Sequence, residues 1–255
     1  MVNDPGATPE LLLIDISNSR TKIAGASPGT LGVERATIPT QDLSADAFAA
    51  IPWAGAVERA ILSSVVPEKN AILQEVFGKR LLVVSHELDL GVSIDYPEPQ
   101  TIGADRLANA AAIAKLHGAP GVVVDFGTAV TFDIISRGGA YVGGVIAPGL
   151  EVMTDYMFQR TALLPKIDLL EPTEIIGKST RSAMMAGAVH GYRGMIKEIL
   201  TEIYEEFGES RDKHPKTIAT GGYAELISDK IDQIDIVDPD FTLQGLRIIA
   251  NLNQG

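Results

Sequence analysis

Two stretches, Leu11-Leu-Leu-Ile-Asp15-Ile-Ser-Asn-Ser-Arg-Thr-Lys22 and Val122-Val-Val-Asp125-Phe-Gly-Thr128-Ala-Val-Thr131, share one design. Each is an apolar run that meets an aspartate near its end, then a small hydroxyl-bearing turn, then a second apolar run. Apolar residues without polar alternation predict a strand covered on both faces. A carboxylate at the end of such a strand lies where open α/β sheets bind their ligands. An aspartate there also serves as a helix cap or turn former, through bonds to backbone N–H groups. Either stretch alone supports both readings equally. Their repetition, about half a chain apart, favours two hairpins that aim carboxylates, hydroxyls and backbone N–H groups at one cleft, the pattern of a duplicated nucleotide-binding fold.

Composition narrows the partners. A chain of 255 residues, 45% hydrophobic, can bury one large core or two modest ones. A net charge of −12 and a pI near 4.8 argue against nucleic acid or an anionic membrane as main partner. An acidic protein still binds ATP, because Mg2+ and local N–H groups neutralise the phosphates. The absence of cysteine removes disulfides, thiolate nucleophiles and cysteine-ligated zinc, and suits a reducing compartment. The start Met1-Val-Asn-Asp-Pro-Gly6 lacks the basic flank and apolar core of a signal peptide, and no apolar run has membrane-spanning length. The expectation is a soluble cytoplasmic protein.

Around the first stretch, residues 11–26 read as a hairpin and 29–38 as a third strand. Helical spacing follows at 44–48 and 67–77, with strands at 60–66 and 81–85. Pro97 and Pro99 impose an extended segment. An alanine- and leucine-rich helix is predicted over 104–116. The second half repeats the order: strands at 132–135 and 141–146, a long helix at about 182–207, a short strand at 217–220 leading into Gly221-Gly222, and a last helix near 243–251. Strands preceding helices in both halves predict two α/β lobes, 1–117 and 118–255.

The run Asp95-Tyr96-Pro97-Glu98-Pro99-Gln100-Thr101-Ile102-Gly103-Ala104-Asp105-Arg106 is the second informative stretch. An acidic residue in a first helical turn stabilises the macrodipole, by about 0.3–1 kcal/mol, and is common for that reason alone. The same placement suits a carboxylate that takes a proton from a substrate hydroxyl, with the bidentate fork of Arg106 beside it for a carboxylate or phosphate.

Together these pieces resemble the type III pantothenate kinases. The resemblance is carried by Asp15-x-x-Asn18-Ser19, Asp95-Tyr96-x-x-Pro99-x-x-x-Gly103-x-Asp105-Arg106 and Asp125-x-Gly127-Thr128-Ala129. It continues through Gly143-Gly144-x-Ile146-x-Pro148-Gly149, Ile176-Gly177-x-Ser179-Thr180, Thr220-Gly221-Gly222-Tyr223-Ala224 and Asp238-Pro239-x-x-x-Leu243-x-Gly245-Leu246. The order is the family's and the motifs span nearly the whole chain. The resemblance implies a duplicated actin-like, ribonuclease H-like kinase fold of two lobes around a central cleft. It implies transfer of the γ-phosphate of ATP to the 4′-hydroxyl of pantothenate, the first step toward coenzyme A. Asp105 matches the catalytic base, and Gly103, Ala104 and Arg106 flank it in the substrate motif. Tyr96 and Thr180 match further pantothenate contacts. The first phosphate loop corresponds to Asp15, Ile16, Ser17, Asn18, Ser19, Arg20, Thr21 and Lys22, with Asp15 acting on the Mg2+–phosphate assembly. Thr128 matches the phosphate-binding threonine of the second loop. Asp125 matches the site of an activating monovalent cation, K+ or NH4+. Gly221 and Gly222 fall where this superfold passes the adenosine. The family also implies a homodimer whose pantothenate pocket is closed partly by the partner subunit, with the helix near 182–207 as either an interface or a core element.

One position departs from the pattern. Ser17 stands where the family's first motif usually has glycine, adding a Cβ at a position where glycine permits positive φ and close phosphate approach. That departure is the one feature favouring a degenerate binding or regulatory protein, and another small-alcohol kinase of the same superfold is the remaining alternative. The GxxxxGK[ST] phosphate loop is absent, so a Walker-type kinase is not supported. His86, His117, His190 and His214 show no metal-ligand spacing, Met184-Met185 reads as packing and Trp53 as a loop anchor. Glu202, Glu205, Glu206 and Glu209 read as a solvated helix face.

Overall fold

Each repeated hairpin seeds a sheet. The computed structural model describes residues 9–55, 57–208 and 214–254; the chain start and Glu209 lie outside the described residues. Two units emerge, one of residues 1–118, 139–142 and 240–255, the other of 119–138 and 143–239.

In the first unit, β1 (Leu11–Ile16), β2 (Arg20–Ala26) and β3 (Leu31–Pro39) form an antiparallel meander. After α1 (Ala45–Ala49), β4 (Arg59–Ser64) returns parallel to β1; after α2 (Pro67–Phe77), β5 (Leu81–Val83) adds parallel to β4. The sheet order is β3-β2-β1-β4-β5. Leu12, Ile14 and Ile16 alternate onto the face covered by α1 and α2, where Phe48, Leu73 and Phe77 complete a core. The short strand β6 (Ser93–Ile94) leads to α3 (Ala104–Leu116). Between them, where proline predicted extended chain, Pro99 opens a 3-10 turn through Thr101. The fixed φ of proline suits the first position of a helical turn as well as an extended one.

In the second unit, β7 (Gly121–Phe126), β8 (Ala129–Ile135) and β9 (Ala140–Pro148) repeat the meander; Ala140–Val142 of β9 count with the first unit. There Ala140 and Tyr141 pair in parallel with Ser93 and Ile94. Next come α4 (Leu150–Arg160), α5 (Thr180–Glu206), β10 (Lys216–Gly221), α6 (Ala224–Ser228) and β11 (Ile236–Val237). The order β9-β8-β7-β10-β11 reproduces that of the first sheet strand for strand. On α5, Val189, Tyr192, Ile196, Leu200 and Ile203 form a stripe at three- and four-residue spacing that buries Val122, Val124 and Phe132. This answers the sequence alternative for that helix on one face: its apolar stripe is core.

The last helix, α7 (Phe241–Leu252), belongs to the first unit and packs along α3, β1 and β4. Gly245 sits against the Ala108 carbonyl, where a Cβ would collide, and the Thr242 hydroxyl donates to buried Asn109 Oδ1 at 2.9 Å. Arg35 pairs with Asp240 at 3.0 Å, and Arg247 and Asn251 both donate to the Pro28 carbonyl. No described helix is long and apolar enough to cross a membrane.

Candidate active site

The duplication places the two aspartates at the same position of the same strand. Asp15 and Asp125 are each fifth of six residues, and the parallel neighbour sets a hydroxyl residue beside each, Ser63 and Thr220. The Ser63 hydroxyl donates to Asp15 Oδ1 at 2.9 Å, fixing the carboxylate at the sheet edge.

The first turn, residues 17–20, is closed by Ser17, whose N–H and hydroxyl both donate to the Arg20 carbonyl, at 3.1 and 2.8 Å. No described non-glycine residue has positive φ, so Ser17 stands in its turn without strain. Thr40, which sequence reasoning missed, braces the turn: its hydroxyl donates to the Ser17 carbonyl at 2.7 Å and its N–H to the Ser19 carbonyl at 3.1 Å. Asn18, Ser19 and Arg20 are exposed, and Lys22 is half-buried opposite Asp15. Ile16 and Thr21 are fully buried, so only their backbone can serve a ligand.

The second turn is tighter. The Gly127 N–H donates to the Ala129 carbonyl at 3.1 Å, and Gly149, capping α4, donates to the Thr128 carbonyl at 3.0 Å. A Cβ on Gly149 would strike the carbonyls of Gly127 and Thr128. Thr128 is exposed. Gly221 ends β10 at φ +93°, and a Cβ there would fill the space beside the Asp125 carboxylate and Phe126 backbone. Glycine is required twice over at that point, by conformation and by close approach. The result is a half-buried carboxylate in a cradle bounded by backbone and a hydroxyl strand, an oxygen-rich donor set that fits a hard cation. Gly222 is exposed.

The third constellation opens α3. Gly103 occupies the N-cap and offers no side chain, so the Asp105 carboxylate folds back to do the capping, its Oδ1 accepting the Arg106 N–H at 2.8 Å. A Cβ at residue 103 would press on that same oxygen, which explains the glycine. Desolvation pushes the Asp105 carboxyl above its ordinary 3.8, opposed by the backbone N–H groups and by the charge of Arg106. Ala104 is half-buried at the first helical position. Arg106 lies over the ring of buried Tyr141, guanidinium carbon to ring centre 5.8 Å, and Tyr96 meets the same ring edge-on at 6.3 Å. Tyr141 is thus a residue of this site that the sequence reading left in an anonymous strand.

Thr180 is exposed at the first position of α5. The motif around it is a helix start: Ser179 and Ser182 form a reciprocal capping box, and Gly177 passes close to the Ala183 backbone. Of the remaining candidates, Met184 and Trp53 pack into cores, His117 stacks on Phe241 and His214 on Tyr204.

The sequence and the fold have counterparts among known proteins. The sequence model of a family described as type III pantothenate kinase matches residues 11–202. The chain belongs to that family. A type III pantothenate kinase of Akkermansia muciniphila is 50% identical over 95% of this chain and 98% of its own length, and one from Methylacidiphilum infernorum is 43% identical over 95% and 88%. Among solved structures, the ethanolamine utilization protein EutJ from Carboxydothermus hydrogenoformans aligns at TM-score 0.58 and 15% identity, covering 98% of this chain and 92% of that one. An inorganic polyphosphate/ATP-glucomannokinase from Arthrobacter aligns at TM-score 0.50 and 16% identity, covering 97% and 100%. Those two likenesses speak for the fold. As a type III pantothenate kinase, the chain has the duplicated actin-like kinase architecture that its paired sheets display. The capping carboxylate on α3 and the two aspartate-ended strands are the features on which its chemistry is to be assigned.

Proposed function

We propose that this type III pantothenate kinase transfers the γ-phosphate of ATP to the 4′-hydroxyl of pantothenate with Asp105 as general base. The observation that carries the reading is the Asp105 carboxylate itself, held at the start of α3 and partly desolvated. Desolvation raises its proton affinity toward what a base needs near neutral pH. Asp105 accepts the hydroxyl proton, the oxygen forms its bond to the γ-phosphorus, and the bond from phosphorus to the bridging oxygen breaks, with ADP leaving. Arg106 takes the substrate carboxylate through paired N–H donors, and Tyr96, Gly103, Ala104 and Thr180 complete the pantothenate contacts.

Phosphoryl transfer asks of a protein alignment and charge neutralisation more than covalent chemistry. The exposed turn residues Asn18, Ser19 and Arg20, and Thr128 in the second turn, suit phosphate oxygens. Asp15 would hold the Mg2+ that accompanies ATP, and that ion supplies neutralisation of phosphate charge. Asp125, in its cradle against Gly221, would hold K+ or NH4+. Gly222, with open space where a Cβ would stand, and Gly221 beside it would pass the adenosine. The unstrained turn at Ser17 removes the conformational half of the argument for a degenerate binding protein.

We also propose a homodimer, seated on α4, working in the cytoplasm. Val152, Met153, Tyr156, Met157 and Phe158 of α4 all remain exposed, an apolar surface that calls for a cover. The family's dimeric habit supplies the second copy as that cover.

The test is formation of 4′-phosphopantothenate from ATP, Mg2+ and pantothenate, followed by 31P NMR with K+, NH4+ or Na+ as the monovalent ion. Turnover that needs K+ or NH4+ and loses this dependence in Asp125→Ala is expected. Equal rates in all three ions would remove the role given to Asp125; no phosphopantothenate under any condition would overturn the reading.

A further inference from the structure

Tyr141 is fully buried, yet it meets the substrate motif on three sides. Its carbonyl accepts the Asp95 N–H at 2.8 Å, its ring meets Tyr96 at 6.3 Å, and Arg106 lies over the ring at 5.8 Å. An arginine beside a helix start has four rotatable side-chain bonds and many directions open to it. An aromatic face beneath the guanidinium limits that choice without itself occupying the N–H donors, which lie in the guanidinium plane.

We propose that Tyr141 is a positioning residue for pantothenate: its ring holds Arg106 and Tyr96 as one prearranged face, so that Arg106 grips the substrate carboxylate without first being ordered. The proposal rests on the role given to Arg106 above. The expected mark is on affinity for one substrate, because Tyr141 meets Asp95, Tyr96 and Arg106, all in the substrate motif. Removal of uniform binding raises KM and leaves kcat alone.

The experiment compares the unmodified kinase with Tyr141→Met, which keeps reach but has no ring face, and Tyr141→Phe, which keeps the ring; Tyr141→Leu serves if the methionine variant does not fold. Loss of a partly desolvated cation–π contact predicts a rise of about tenfold in the pantothenate KM of Tyr141→Met. Its kcat and its KM for ATP stay within about twofold, and Tyr141→Phe stays within about twofold throughout. Calorimetric pantothenate Kd values complete a cycle: in an Arg106→Ala background, Tyr141→Met adds no further weakening. An unchanged pantothenate KM in Tyr141→Met overturns the proposal. So does a parallel rise in both KM values, an equal loss in the Phe variant, or the same weakening with and without Arg106. Failure of the unmodified protein to bind pantothenate is a different result, and overturns the functional reading beneath it.

Discussion

Asp105 does two jobs that conflict, and the conflict is measurable. As a cap it serves α3; as a desolvated carboxylate it costs stability when ionised. Its pKa is raised in the folded protein, so the native state holds the proton more tightly than the unfolded chain does. The sign follows: stability contributed by Asp105 is full below the ordinary 3.8 and is lost as pH rises through the raised value. Asp105→Asn is therefore expected to raise Tm at neutral pH, with the gain disappearing in acid, as a melting series across pH would read. Activity runs the opposite way, because a base works ionised: kcat/KM should fall in acid with an apparent pKa above 3.8. Ser17 offers a cleaner contrast between motif and physics. Its side chain closes the first turn, so Ser17→Gly should lose about 0.5–1 kcal/mol of stability and leave the ATP KM unchanged. A marked gain in ATP affinity would show that the family's glycine serves phosphate approach and not only the turn. The places of Asp15, Asp105 and Asp125 were legible in the sequence, because their motifs sit at element ends. Thr40 and Tyr141 were not, since their contacts come from segments distant in the chain.

Elements with strong local signals were legible almost to the residue. The alanine-rich helix expected at 104–116 spans Ala104–Leu116, and the helix expected at 67–77 spans Pro67–Phe77. The long helix starts two residues earlier than its apolar stripe suggested, because Ser179 caps it and exposed Thr180 carries no stripe signal. Helix α4 was missed for the opposite reason. Its apolar residues point outward over much of its length, so no buried-face pattern marks it. Pairing between helices is likewise silent in sequence: that α7 returns to α3 depends on Gly245 fitting the Ala108 carbonyl. Gly245→Ala should overpack that contact and cost about 1–3 kcal/mol, read as a lower denaturant midpoint. In the second unit, Arg193 is buried in a fork with Glu171, at 3.0 and 2.6 Å, and also donates to the Leu226 and Ile227 carbonyls. The Arg193 bonds hold the Glu171 carboxyl below its usual range, so this pair stabilises above that range and its contribution is lost as pH falls through the lowered value. Glu171→Gln should lower Tm at pH 7 and make little difference in strong acid.

Across the whole molecule, the finding that organises the rest is duplication: the same five-strand order in both sheets, the second extended by β6, with an aspartate at the same place in each. The repeat was visible as two similar stretches, and a topology that needs parallel returns of β4 and β10 beside β1 and β7 puts both carboxylates at strand ends. The quaternary reading is tested by sedimentation velocity: the unmodified kinase should run as a dimer, and Tyr156→Glu with Phe158→Glu as a monomer. A dimer that survives both charges would move the interface off α4. The assignment of the base stands or falls on Asp105→Asn, measured by initial rates of phosphopantothenate formation alongside pantothenate binding by calorimetry. The account predicts a kcat lower by about 10²–10⁴-fold with pantothenate affinity largely kept. A variant that turns over at the unmodified rate would contradict it, and the proton would have to leave by another route.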